Sequence, residues 1–196
     1  MLSDEQISVD QSAIDRVLAG DSSAYAEIVE QYQRRLLGLM IHASGDRELA
    51  EDIVQEAFTK AYQKLPQFAG ESQFYTWLAR IAMNQLISNR RRRRLESQLP
   101  RTGMEQAVDT VGSLERPEDR LEQTETQRCV QDAMLKLDEE RRVVLVLRDF
   151  DGMDYEAIAE TLQIPIGTVR SRLHRARLEL RNLLQDRALQ LGLSAS

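Results

Sequence analysis

The segment from Asp154 to Arg181, DYEAIAETLQIPIGTVRSRLHRARLELR, constrains the fold more than any other part of the chain. It predicts two short helices with a tight corner between them. Asp154 suits the N-cap, because its carboxylate can accept from first-turn backbone N–H groups that have no intrahelical partner. Ala157, Ile158, Ala159 and Leu162 give the first helix a small apolar face. Gln163-Ile164-Pro165-Ile166-Gly167 is the corner: Pro165 cannot continue a helix interior, and Gly167 is expected to supply the unusual backbone angles. The second helix turns Val169, Leu173 and Ala176 inward and leaves Arg170, Ser171, Arg172, His174, Arg175, Arg177 and Arg181 on its other faces. From Gln163 to Arg181 there are five Arg and one acid, Glu179. This is the pattern of a helix-turn-helix whose second helix enters the major groove. An αα-corner with a solvated basic face has the same pattern.

A chain of 196 residues suits one large domain or two small ones. Few aromatic residues and few β-branched runs favour helices. A single cysteine, Cys129, excludes a disulfide framework and fits a reducing compartment; it reads as a small buried apolar group. No secretory h-region follows the acidic start MLSDEQISVDQ, and no stretch approaches the ~20 apolar residues of a membrane span. The net charge of -6 conceals segregation. Residues 1–30 hold seven acids and one Arg, residues 75–94 six Arg and no acid, and residues 104–127 seven acids and two Arg. Nucleic-acid binding is therefore not excluded but confined to patches.

Taken in order, Ala13–Leu18 predicts a short helix ended by Gly20. Asp21 is expected to cap a longer helix reaching about Ala43, with Tyr25, Ile28, Val29, Tyr32, Leu36, Leu39 and Met40 at helical spacing. A helix from about Glu48 to Leu65 is closed by Pro66 and buries Ala50, Ile53, Val54, Ala57, Phe58, Ala61 and Tyr62. Asp52, Gln55, Glu56 and Thr59 lie along another face, where they form either a contact stripe or an ordinary wet surface. Residues 66–74 predict a loop, and a helix resumes near Tyr75 and runs to about Leu95. Trp77, Leu78, Ile81, Ala82 and Leu86 read as buried. The helix ends in Arg90-Arg91-Arg92-Arg93-Arg94, a run suited to phosphates. Phe68, Phe74, Tyr75 and Trp77 stand beside this charge, where an unstacked base could find a ring face; the alternative is that the rings are core, the better reading for Trp77 than for Phe68 or Phe74.

Helix signals fail from Ser97 to about Arg120, where Pro100, Gly103, Gly112 and Pro117 cluster. This predicts a flexible, acidic linker. As a relaxed coil it spans roughly 25–29 Å, and it stretches to about 80 Å. A second helical unit begins near Leu121, with Val130, Ala133, Met134 and Leu137 on its apolar face. Asp138 then caps a helix through EERRVVLVLRDF that packs with Val143, Val144, Leu147 and Phe150. Asp151-Gly152 ends it, the helix-turn-helix follows, and Leu183, Leu184 and Leu191 extend the last helix into the tail.

Three stretches, AEDIVQEAFTKAYQKLPQF, SQFYTWLARIAMNQ and DGMDYEAIAETLQIPIGTVRSRLHRAR, occur in that order with the acidic linker between the second and third. Together they make nearly the whole chain resemble a bacterial RNA polymerase sigma factor of the extracytoplasmic-function (ECF) group. The resemblance implies an all-α protein of two small helical domains. A region 2-like bundle is expected over 12–96, a linker over 97–120, and a region 4-like helix-turn-helix domain over 121–190. Core RNA polymerase and promoter DNA are the implied partners. An anti-sigma protein, often membrane-bound in the family, is a further one, which would hold a cytoplasmic factor at the inner membrane.

The resemblance also implies residue roles. Asp52, Gln55, Glu56 and Thr59 match the surface that docks on the clamp helices of the polymerase's largest subunit. The loop with Phe68, Gly70, Ser72 and Phe74, together with Tyr75, Arg80 and Asn84, matches the part that captures a flipped base of the −10 element. Arg170, Ser171, His174 and Arg175 align with readers of the −35 element, while Thr168, Arg172 and Arg177 meet phosphates. His174 stands where the family often has an aromatic or apolar residue. The Arg90–Arg94 run is denser than the family requires and is expected to strengthen upstream or spacer phosphate contacts. No acidic pair, metal-ligand cluster or Gly-rich phosphate loop points to catalysis, a cofactor, a metal or a small-molecule substrate; His42 and His174 lack partners at ligand spacing. The rival readings are a helix-turn-helix regulator that is not a polymerase subunit, and an adaptor that binds partner helices rather than DNA.

Overall fold

The computed structural model describes residues 4–98 and 125–190, and no strand occurs among the described residues. The first half holds α1 (Asp4–Leu18), α2 (Ala24–Ser44), α3 (Arg47–Lys64), a 3₁₀ turn (Leu65–Gln67) and α4 (Phe74–Gln98). The second half holds α5 (Glu125–Leu135), α6 (Glu139–Leu145), a π-type turn (Val146–Phe150), α7 (Tyr155–Leu162) and α8 (Ile166–Gln190). Most of the expected linker, from residue 99, lies outside the described residues, as do residues 121–124 and Leu191.

The helical period of the sequence becomes the core. Ile28, Tyr32, Leu36, Leu39 and Met40 of α2 are buried against Ile53, Ala57 and Phe58 of α3 and Leu78, Ala82 and Leu86 of α4. Burying each large aliphatic side chain contributes roughly 1.5–3 kcal/mol. In the second half Val144, Leu147, Ile158, Val169, Leu173 and Ala176 close the helix-turn-helix from inside. The two cores are continuous, because α4 packs on α7 and α2 on the π-type turn.

Several expectations need correction. α1 begins nine residues before Ala13, at Asp4. Its Asp10 is buried and accepts from Gln31 Nε2 at 2.7 Å and from the Tyr32 hydroxyl, which fastens α1 to α2. Asp21 is not the cap of α2: Ser23 holds that position, and Asp21 accepts from the Ser23 amide at 3.1 Å and from Arg16. Phe74 is the first residue of α4, not part of the loop. Tyr62 and Phe150, both expected inside, are 44% and 43% exposed. Cys129 is half-buried.

The corner of the helix-turn-helix is built differently from its sequence reading. The left-handed residue is Gln163, with φ 53°, and its amide donates to Ala159 O and Glu160 O as a helix C-terminal motif. Gly167 is helical and nothing lies within 4 Å of where its Cβ would be. Pro165 immediately precedes α8, its carbonyl accepting from the Thr168 and Val169 amides of the first turn. Asp154 does cap α7, accepting from the Ala157 amide at 2.7 Å, as Asp138 caps α6 and Asp46 caps α3.

Gly45 is a glycine that its backbone conformation requires and its packing favours. It ends α2 at φ 74°, and a Cβ there would meet Leu135 Cδ2 of α5 at 2.2 Å. Gly45→Ala should lose about 1–2 kcal/mol, mostly from the left-handed backbone, because the leucine tip can rotate. A thermal melt followed by circular dichroism reads this; an unchanged midpoint would contradict it.

Candidate nucleic-acid and docking interfaces

α3 carries the expected docking stripe. Its buried face holds Ala50, Ile53, Val54, Ala57, Phe58 and Ala61, which leaves Asp52, Gln55, Glu56 and Thr59 exposed along one line. Thr59 Oγ1 donates to Gln55 O at 2.9 Å, and Glu56 pairs with Lys60. Beside this line α2 and α3 enclose a groove of about 690 Å³. Val29, Leu37, Val54, Phe58 and Tyr62 give it apolar walls, and Gln55 and Thr59 belong to both groove and stripe.

The loop before α4 is set by three rings. Phe68 meets Phe74 edge-on at 5.6 Å and lies 5.2 Å from Trp77. Phe74 and Trp77 are buried, which corrects the expectation that Phe74 is open to a base; Phe68 is half-buried. Gly70, at φ 70°, is exposed, Ser72 half-buried and Asn84 exposed. Tyr75 and Arg80 face the other half. The Tyr75 ring is buried and its hydroxyl donates to Asp151 Oδ1 at 2.8 Å, while Arg80 Nη1 reaches Glu160 Oε1 at 3.2 Å. Burial, and then the Asp151 charge, push the Tyr75 phenol up.

α8 presents the basic face. Arg170, Ser171, His174, Arg175 and Arg177 are exposed, and Thr168 and Arg172 are half-buried. Arg172 pairs with Glu140 of α6. Arg177 takes both carboxylate oxygens of Asp149, and that hydrogen bond raises its already high pKa. Arg170 lies 5.9 Å from the Tyr155 ring centre. The two Arg expected at phosphates are thus held by acids of their own domain, whereas the two expected at base edges have no ion-pair partner among the described residues.

The Arg run divides. Arg90 is half-buried and donates to Ala43 O and Ser44 O at the C-terminus of α2, where a cation is favoured, and it pairs with Glu139. In this structure it braces the end of α2 and holds α6 beside it. Arg91, Arg92 and Arg93 are exposed. Arg142 joins Arg90 on Ala43 O at 3.1 Å; burial, and then Arg90, push its pKa down to about 10. His42 Nδ1 lies 2.8 Å from Gln131 Oε1, and its ring lies 4.6 Å from that of Phe150.

The sequence reading missed the residues that join the halves, above all Arg35 and Asp151. Neither periodicity nor motif singles out one Arg at the edge of α2 or one acid after a helix. Among the described residues no helix is long and apolar enough to cross a membrane.

Two family models match the chain in order, Sigma-70 region 2 over residues 28–96 and Sigma-70, region 4 over residues 127–180. The RNA polymerase sigma-H factor of Pseudomonas aeruginosa is 40% identical over 97% of each chain. The ECF RNA polymerase sigma-E factor of Haemophilus influenzae is 38% identical, covering 90% of this chain and 95% of its own. Among solved structures, the sigma factor RpoE of Bartonella quintana in complex with the anti-sigma factor NepR aligns with a TM-score of 0.64. It is 27% identical, with 82% of this chain and 96% of that chain covered. CnrH in complex with the cytosolic domain of CnrY shares the fold, with a TM-score of 0.66 over 91% and 98% of the chains at 24% identity. On both domain matches and on identity along nearly its full length, the chain belongs to the ECF family of bacterial RNA polymerase sigma factors, which bind core polymerase and direct it to promoters.

Proposed function

We propose that the work is divided between the two halves. Residues 12–96 dock on core polymerase through Asp52, Gln55, Glu56 and Thr59 and open the −10 element with Phe68, Gly70, Ser72, Phe74, Tyr75, Arg80 and Asn84. Residues 121–190 read the −35 element through Arg170, Ser171, His174 and Arg175, with Thr168, Arg172 and Arg177 at phosphates. The observation that carries this reading is the exposure of both working surfaces, the α3 stripe and the outer face of α8, around a shared core. Phe74 enters it as the support beneath Phe68, not as a stacking surface.

The two elements lie about 25 base pairs apart, or roughly 85 Å at 3.4 Å per pair. The halves packed together here must separate to span that distance, so the linker over 97–120 is extended on polymerase. The factor itself makes and breaks no covalent bond. It works in the bacterial cytoplasm, where an anti-sigma protein of the kind bound to RpoE holds it inactive, at the inner membrane where that partner is membrane-anchored.

A 2-aminopurine placed in the non-template −10 element reports base flipping. Its fluorescence should rise when this chain and core polymerase are added together, and not with either alone. Asn84→Ala, at an exposed position on α4, should reduce the rise severalfold, as one lost polar contact of about 1–2 kcal/mol would. An undiminished signal would remove Asn84 from the −10 site.

A further inference from the structure

Arg35, which no assigned role uses, forms a built anion site with Tyr75. The Arg35 guanidinium lies 3.8 Å from the centre of the Tyr75 ring, which fixes its plane. Its Nε and Nη2 donate to the two oxygens of Asp151 at 2.8 and 3.1 Å, and Nη2 also reaches Asp151 O at 3.1 Å. The Tyr75 hydroxyl adds a donor to the same carboxylate at 2.8 Å. The Asp151 side chain is 4% exposed. Burial is the largest influence and works against the Arg35 charge, but the Asp151 hydrogen bonds and charge, with the neighbouring Tyr75 and Tyr32, together outweigh it and hold the guanidinium above its ordinary value.

This carboxylate belongs to the other half of the chain, 116 residues from Arg35. The π-type turn delivers it: the Asp151 amide donates to Val146 O, and Gly152, at φ 79°, turns the chain away. A π turn inside a helical segment often marks a functional position. The neighbouring contact repeats the theme, with Arg80 of α4 held by Glu160 of α7. Acids of the helix-turn-helix half therefore occupy the cationic groups beside the loop over 68–74. A planar fork with an added hydroxyl donor suits a carboxylate or a phosphate alike.

We propose that Arg35 and Tyr75 bind a backbone phosphate of the displaced single strand next to the −10 element, and that Asp151 fills this site in the closed chain. This rests on the −10 reading given above and adds to it a phosphate site and its internal competitor. The donors cannot serve both anions, so DNA enters only when the halves part. A phosphate contact carries no sequence information, which permits a test without knowing the promoter.

The probe is a fluorescein-labelled, random-sequence single-stranded DNA dodecamer, titrated against the full chain by anisotropy at several salt concentrations. Opening is read separately from a spin-label pair at Gln63→Cys and Leu178→Cys in a Cys129→Ser chain. Asp151→Asn should lengthen that distance and tighten DNA binding about tenfold, because apparent affinity scales with the competent fraction. Asp151→Ala serves the same purpose if the amide variant does not fold. Adding Arg35→Gln should cancel the gain and lower the slope of log K against log salt by about 0.7, the single-strand value for one phosphate. A purely structural role for Arg35 would not move that slope. The proposal is overturned if the Asp151 variants open without binding DNA more tightly, or change neither quantity. It is also overturned if the gain survives Arg35→Gln with an unchanged slope, which would leave the site to an acidic protein partner. Run-off transcription by wild-type holoenzyme is the separate check on the −10 reading; promoter-directed starts alongside a failed oligonucleotide test would sink only the phosphate site.

Discussion

Arg170→Ala with Arg175→Ala should abolish selection of the −35 element while leaving association with core polymerase intact. Both side chains are exposed on α8, and neither has an ion-pair partner among the described residues whose loss would unsettle the fold. Alanine is also the better helix former. An Arg paired with a guanine edge is worth roughly 1–3 kcal/mol of discrimination. The double variant should therefore lose about 2–6 kcal/mol, or roughly thirtyfold to more than ten-thousandfold in preference for a cognate over a scrambled −35 element. Run-off transcription on the two templates, with co-elution of the core enzyme as control, reads both halves of the statement. Under the adaptor reading the substitutions would do little. Arg172 and Arg177 provide the internal contrast, since Glu140 and Asp149 already hold them. Alanine at these positions should weaken binding to cognate and scrambled DNA equally.

The second large effect is on assembly. Asp52→Arg with Glu56→Arg should eliminate stable association with core polymerase, by at least about a hundredfold, the scale of central interface residues. Reversing two charges meets a partner surface complementary to acids with the wrong sign. Both residues are exposed, and the Glu56–Lys60 pair is a surface i,i+4 contact of little energetic weight. Glu56 also accepts from the buried Gln85 amide at 2.7 Å, a contact worth about 1–3 kcal/mol; the melting temperature should therefore fall by several degrees with the cooperative transition retained, which separates lost docking from lost folding. Wild-type-like co-elution with core would remove the α3 stripe from the interface.

The sequence carried the helices and their inward faces because an apolar residue every three or four positions has one physical solution, a helix with one side buried. Ile28, Tyr32, Leu36 and Met40 announced α2 in this way, and all are buried. Caps were legible where a short acid precedes a helix and nothing competes for it, as at Asp138 and Asp154. Asp21 failed as a cap because Arg16 and Ser23 claim its oxygens. The left-handed corner fell on Gln163 and not Gly167, because a helix C-terminus can impose that conformation on a polar residue as well as on glycine. The stripe on α3 and the outer face of α8 lie where the spacing puts them, although Tyr62 and Phe150 do not. The π-type turn left no trace, since VVLVLRDF is as good a helix as any. Asp151 therefore read only as the end of that helix, whereas it reaches Arg35 and Tyr75 because the turn redirects the chain. Contacts between halves depend on single residues far apart in sequence, and no periodicity reports them. The family resemblance supplied roles for surfaces that spacing alone leaves as wet helix faces.

Run-off transcription with purified bacterial core polymerase and a library of randomised promoters tests the central claim most directly. With this chain added, core should begin transcripts at a restricted set of sites that share paired −35 and −10 sequences. Transcripts no different from those of core alone, from a chain that does not co-elute with it, would contradict the account.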